Sequence, residues 1–314
     1  MPSLISEDPA TGARRRPGRA ARPHDVASAT GASRLSIDLS DGQALTGYEA
    51  GSGPDAVLIH GTLVTSEEMG ASLLGPFARR FRTVAFDRPG HGASTRPTGQ
   101  GALSQQARFV QEGIDKLGLR RPVLVGHSIG GSLALQLALD APERYAGVVV
   151  IGPLVFPEPR LEPVLFGPRA LARLGTRLGG SRGFMGGPGL DAASLPLLWR
   201  AIFLPQHAPA EFSRLMDFEA VGSDAGIASV GEDSLAIWSD LTLNLFRYRK
   251  LTCPVEIVCG EMDIVVNPAL HGRALSRLAP RASFTSVPGV GHMVHHFEPK
   301  LILEKALRVR AAPA

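Results

Sequence analysis

The chain has only two cysteines, Cys253 and Cys259, in 314 residues. Two thiols cannot build a disulfide framework, and both lie in or beside one apolar run. The sequence therefore predicts buried free thiols in a reducing, cytoplasmic compartment. Long apolar runs are missing as well. The best, Val148 to Phe156, is interrupted by Gly152 and Pro153, far short of the roughly 18 residues a membrane span requires. Excess charge is missing too. The formal charge is +4, and residues 1–33 hold five arginines (Arg14, Arg15, Arg16, Arg19 and Arg22) against Glu7, Asp8 and Asp25. That segment accounts for +2, and a body carrying the remaining +2 offers no footprint for nucleic acid. No internal repeat occurs. Arg14-Arg15-Arg16 invites a twin-arginine or transit-peptide reading, but Pro17, Arg19, Arg22 and His24 stand where an apolar segment would have to follow. Residues 1–33 are read as a disordered basic arm.

Regular patterning begins at Arg34. Leu35 to Leu39 alternates, Asp41-Gly42 supplies a turn, and Ala44 to Tyr48 resumes, as in a hairpin. Short apolar runs follow at Ala56–Ile59, Arg82–Phe86, Val123–Val125, Gly147–Ile151 and Val255–Cys259. Such runs suit strands buried on both faces. Ala282–Val287 alternates more and is placed near a sheet edge. A helical pattern over Leu103–Leu117 separates two of the strands. Strands spaced by helices predict an α/β fold, with a mostly parallel central sheet and helices on both faces.

Between Pro153 and Lys250 the strand pattern lapses, leaving helix-like runs at Pro168–Leu178 and Pro209–Phe218. A structureless loop of that length does not suit a compact domain. The predicted organisation is a core of residues 34–153 and 251–314 with an inserted helical cap over 154–250. Gly179 to Gly189 is glycine-rich enough for a mobile lid segment.

Chemistry concentrates at Gly126-His-Ser-Ile-Gly130, a G-x-S-x-G centred on Ser128. The motif alone is weak, since a second copy stands at Gly179-Gly-Ser181-Arg-Gly183. Context separates the two. Ser128 follows the run Val123–Val125 and precedes a helical stretch with Leu133, Leu135, Leu137 and Leu139, the strand-turn-helix setting of a nucleophile elbow. Ser181 has neither flank and is read as a loop serine. A serine hydroxyl needs a base and a carboxylate to orient that base. Asp263 stands just past Val255–Cys259, and His292 stands in the loop after Ala282–Val287. Strand order puts both on the side of the sheet where Ser128 emerges.

Together His60-Gly61, Asp87-Arg-Pro-Gly-His-Gly-Ala-Ser94, Gly126-His-Ser-Ile-Gly-Gly131, Gly260-Glu-Met-Asp263 and Gly289-Val-Gly-His292 resemble the α/β-hydrolase superfamily, over about residues 35–310. The resemblance implies a cofactor-free serine hydrolase with the triad Ser128, Asp263 and His292. It also implies an oxyanion hole from the backbone N–H groups of Thr62 and Ile129. Leu63, His127, Trp199 and Val265 are the expected substrate-binding residues. Glu261 competes with Asp263 as the acid, and spacing favours Asp263. Asp87, in this family, belongs to a structural turn. His60 and His127 suit loop orientation. His292, His295 and His296 have a spacing that holds metal on a helix, but the sequence brings no carboxylate or cysteine beside them, and Pro299 limits the helix, so no metal is expected.

The resemblance implies a small-molecule acyl substrate, such as a carboxylic ester or lactone. Serine at position 128 argues against dehalogenase-like and epoxide-hydrolase-like chemistry, which place aspartate there. Haloperoxidase-type esterases, carbon-carbon bond hydrolases and acyltransferases share the same machinery. A ligand-binding, non-catalytic relative stands as the reading from a different class.

Overall fold

The computed structural model describes residues 26–177 and 190–313, together with the backbone of two short paired strands, Ser6–Glu7 and Arg14–Arg15. The glycine-rich stretch 179–189 and Ser181 lie outside the described residues. Helix Val26–Thr30 falls inside the span expected to be a disordered arm. Val26 is fully buried and packs with Met69, Leu73 and Phe77, so one apolar side chain anchors the approach to the first core strand.

Eight strands form one sheet: β1 (Ser33–Asp38), β2 (Ala44–Ala50), β3 (Asp55–Ile59), β4 (Arg82–Phe86), β5 (Val123–His127), β6 (Gly147–Ile151), β7 (Val255–Gly260) and β8 (Ala282–Val287). Their order is β8-β7-β6-β5-β3-β4-β2-β1. β1 and β2 pair antiparallel, β2 meets β4 antiparallel, and all other pairings are parallel. The β1–β2 hairpin turns at Gly42, whose φ of 81° needs a residue without a Cβ.

The continuous apolar runs divide between the two faces. Val57, Ile59, Leu124, Val148 and Val150 join the core on one side, with α1 (Leu103–Lys116) and α2 (Ile129–Asp140). Ala56, Leu58, Val125, Val149 and Ile151 join the core on the other, with α6 (Pro299–Ala311). Side chains alternate along a strand, so a run with helices on both faces must be apolar at every position. β8 lies at the edge and is half-buried, as its alternation predicts.

Between β6 and β7 the described residues are helical. α3 (Glu162–Arg177) and α5 (Asp224–Leu245) pack against one another, with α4 (Leu190–Phe203) and two short helices, Ala210–Leu215 and Phe218–Gly222, between them in sequence. This insertion has its own core of Phe166, Phe203, Phe212 and Ile227, which also takes in Leu63, Val64 and Met293 from the sheet domain. Among the described residues no helix is long and apolar enough to cross a membrane.

Candidate active site

Ser128, Asp263 and His292 each follow the carboxyl end of a parallel strand. Such ends form the crevice of an open α/β sheet. Ser128 directly follows β5 with φ 54° and ψ −122°, a conformation that side chains avoid. The surrounding glycines permit the turn. A Cβ on Gly126 would lie 2.3 Å from Gly130 O, and one on Gly130 would lie 2.3 Å from Ile59 O. Holding a non-glycine residue there costs about 1–3 kcal/mol, met by the packing of β5 and α2.

Asp263 and His292 meet as expected. His292 Nδ1–H donates to Asp263 Oδ2 at 2.7 Å, and both side chains are buried. The other carboxylate oxygen accepts the N–H groups of Val265 and Val266 at 2.8 and 2.9 Å. Asp263 is thereby fixed, and donation from Nδ1 leaves His292 Nε2 as the nitrogen able to accept a proton. Glu261, the competing acid, is exposed. Gly152, at the end of β6, makes the pair possible. Its φ is +49°, and a Cβ there would stand 3.0 Å from His292 Nδ1 and 3.2 Å from Asp263 Oδ2. That Gly-Pro break in the sequence ended an apolar run, and its second use was not read from it.

Ser128 and His292 line one cavity of about 320 Å³. Their side chains form no hydrogen bond to each other among the described residues, a separation common in unliganded sites. Thr62, Leu63, His127 and Val265 line the same cavity. Ile129 starts α2, so its N–H has no helical partner. Leu63 has φ 61°, and Gly61 of the same loop lies against the elbow, where a Cβ would stand 2.9 Å from His127 Nδ1 and 3.3 Å from Ser128 Cβ.

Trp199 departs from the expectation that it binds substrate. It lines a separate hollow, packs edge-on against Phe218, and donates its indole N–H to Leu63 O at 2.8 Å. Its large apolar body finds an aromatic partner within the insertion, and its one donor finds a backbone carbonyl of the Thr62-Leu63 loop. Arg200 and Arg214, on the insertion, are exposed and stand outside the cavity. Arg160 lines it instead, paired with Glu158 at 2.9 Å and Glu162 at 2.6 Å.

His60 orients loops, as its position suggested. It accepts the Arg88 N–H at Nε2 (2.9 Å) and donates from Nδ1 to Gly61 O (2.9 Å), an arrangement that requires the neutral ring. Burial, and then Arg88, hold its pKa well below the usual range. Asp87 is a turn acceptor, taking Ser66 N–H at 2.9 Å and Thr46 O–H at 2.8 Å.

Two clusters escaped the sequence. In one, Asp233 of α5 accepts from Arg88 (2.7 Å), Arg96 (2.5 Å) and His91 (2.8 Å), all buried. In the other, Glu68 binds His295 and His296, the latter at 2.9 Å. A carboxylate therefore does stand beside the histidine trio, 227 residues from His295 in sequence. His127 lies between the groups, its ring centroid 4.5 Å from those of both His292 and His295.

A model of the Alpha/beta hydrolase family matches residues 56–305. A 2-(acetamidomethylene)succinate hydrolase from Mesorhizobium japonicum is 28% identical over 261 residues, covering 82% of this chain and 87% of that one. The dihydrolipoyllysine-residue acetyltransferase component of an acetoin cleaving system from Cupriavidus necator is 42% identical over 83 residues, only 26% of this chain and 22% of that protein. Among solved structures, a hydrolase from Pseudomonas aeruginosa PA01 superposes with a TM-score of 0.70 at 20% identity, over 89% of this chain and 98% of that one. With 250 of its 314 residues inside the family match and its strand order and strand-end site in place, this chain belongs to the alpha/beta hydrolase family.

Proposed function

We propose that the protein is a serine hydrolase of a small, uncharged, apolar acyl compound, an ester or lactone, working through an acyl-enzyme on Ser128. The observation that carries this reading is the Asp263–His292 pair, joined at 2.7 Å and facing the cavity that Ser128 also lines.

In the proposed reaction His292 Nε2 takes the proton of Ser128 as Oγ attacks the substrate carbonyl. Asp263 holds the imidazole and stabilises the imidazolium that forms. The carbonyl oxygen becomes negative and is received by the N–H groups of Thr62 and Ile129. Loss of one such donor costs about 3–4 kcal/mol. His292 then gives its proton to the leaving alkoxide oxygen. Water, deprotonated by the same ring, attacks the acyl group and releases the acid.

Substrate size and charge follow from the cavity. About 320 Å³ is at the small end of ligand pockets. Leu63, Leu165, Ile202 and Met293 supply apolar wall, and the one cation there, Arg160, is engaged by two carboxylates. The Mesorhizobium relative is named for a substituted succinate. A wall whose arginine is already neutralised favours an acyl group without carboxylates.

Two measurements test the proposal. A fluorophosphonate is expected to label the wild-type protein and leave Ser128→Ala unlabelled. Among p-nitrophenyl esters, short neutral acyl chains are expected to exceed succinyl monoesters in kcat/KM. Equal labelling and turnover in Ser128→Ala rule out the reading. Stabilisation by ligand without any turnover points to a binding protein instead.

A further inference from the structure

The cluster behind the elbow contains more buried polar atoms than its own hydrogen bonds satisfy. Glu68 Oε1 accepts from His295 and His296, but Glu68 Oε2, His295 Nδ1 and both ring nitrogens of His127 are buried without a hydrogen-bond partner among the described residues. An unpartnered buried polar group costs about 1–3 kcal/mol, so four together call for an occupant. Glu68, His127 and His295 each offer one ligand atom, and these atoms lie within 4.8 Å of one another.

We propose that Glu68, His127 and His295 form a binding site for a divalent transition metal, Zn²⁺ in the first instance, set directly behind the nucleophile and able to restrain His292. Two imidazoles and one carboxylate are a recurrent zinc donor set, with bonds of about 2.0–2.2 Å and a fourth position for water. Donors around a tetrahedral ion with such bonds stand about 3.3 Å apart, and the three ligand atoms here lie within 4.8 Å of one another. His127 and His295 are buried side by side with ring centroids 4.5 Å apart, and Glu68 is fully buried beside them. His127 belongs both to the lining of the cavity and to the cluster.

The placement has a chemical consequence, which rests on the proposed role of His292. A dication bound to one carboxylate leaves a net positive charge beyond His127, whose ring is 4.5 Å from that of His292. That charge opposes the imidazolium His292 must form during acyl transfer. The metal acts as a brake on the hydrolase and adds no step to its reaction.

The full chain, stripped with a chelator and dialysed, is titrated with Zn²⁺ and separately with Co²⁺. One equivalent of tightly held metal is expected, with visible Co²⁺ bands typical of four or five N/O ligands. Glu68→Gln and His295→Gln should each weaken binding at least 100-fold, and His207→Gln, an exposed histidine away from the cluster, should not. Zn²⁺ should raise the Tm of the wild type but not of Glu68→Gln, a readout independent of turnover. Ester hydrolysis should fall at least tenfold on loading and return on chelation. Failure to hold one equivalent overturns the proposal. So does binding that survives in both variants, uptake with unchanged turnover, or zinc inhibition that persists in Glu68→Gln. If no ester is turned over at all, the binding and Tm measurements still decide the metal site, and only the reading of Ser128 is lost.

Discussion

Two buried aspartates occupy different regions of this molecule and face opposite electrostatic surroundings. Asp263, at the end of β7, gives one oxygen to two backbone N–H groups and the other to a single imidazole. Asp233, where α5 meets the loop after β4, is surrounded by Arg88, Arg96 and His91. Its carboxyl is driven far below the usual range because the two arginines and His91 overcome the cost of burial. The first arrangement orients a ring that lines the cavity and leaves that ring's second nitrogen outside the pair. The second, completed by the Gln106 amide at 3.0 Å, gives each carboxylate oxygen two donors and fastens the insertion to the sheet domain. Burial and a histidine partner are common to both, so neither identifies a working acid. What separates them is whether the partner imidazole has a free nitrogen facing a cavity.

The largest effect that tests this contrast is on turnover. Asp263→Asn should lower kcat by about 10³–10⁴-fold, because the amide no longer selects the Nδ1–H tautomer, while the unfolding free energy changes little. Asp233→Asn should show the converse. It leaves Arg88 and Arg96 facing a neutral group, and breaking a buried pair of this kind costs about 3–5 kcal/mol of stability. At a temperature where the variant remains folded, ester turnover should persist. Urea unfolding and initial rates on both variants make the comparison. A stable Asp233→Asn protein without activity would erase the distinction.

A smaller effect is expected in the pH dependence of stability. Burial, and then Arg88, hold His91 down at about 4, against which Asp233 acts only in part. In the unfolded chain the same ring titrates near 6.5. Between those values the unfolded state binds a proton that the folded state refuses, so stability falls as pH is lowered from about 6.5 to 4. That window is worth about 3 kcal/mol for this one group. His60 and His127 are lowered in the same direction and steepen the loss. Denaturant midpoints measured from pH 7 to 5 should decline accordingly, and His91→Asn should flatten the slope.

The sheet domain was legible because its determinants are local. Arg82–Phe86, Gly147–Ile151 and Ala282–Val287 have in the structure the bounds their apolar runs predict. A strand with helices on both faces admits few other residues. The strand-turn-helix context of Ser128 is likewise set by its immediate neighbours, Val123–His127 before it and Ile129–Asp140 after it. The insertion resisted the same treatment. Pro168 marks the expected start of a helix, yet that helix begins at Glu162 with the proline inside it. Asp224–Leu245 went unread because its buried face carries Glu232, Asp233 and Asp240. Their partners are Arg96, Arg88 and the N–H of Leu103, all more than a hundred residues away. A polar residue at a core position looks like a solvent face until its partner is located. Glu68 is the same case, and its pairing with His295 supplies the carboxylate whose absence had argued against a metal.

Trp199 provides the finest test, because it joins the two regions by a single hydrogen bond. Its indole N–H holds the carbonyl of Leu63, at φ 61° and next to Thr62, whose N–H is proposed to receive the oxyanion. Trp199→Phe keeps the aromatic contact with Phe218 and removes only the donor. A net hydrogen bond of about 0.5–1.5 kcal/mol, acting through the position of another group, predicts a fall in kcat of about two- to tenfold with KM nearly unchanged. Were Trp199 a wall of the substrate site, KM would move and kcat would not. The split between the two constants therefore decides whether the insertion shapes the ligand or holds the oxyanion loop, and a cavity that Trp199 does not line favours the second.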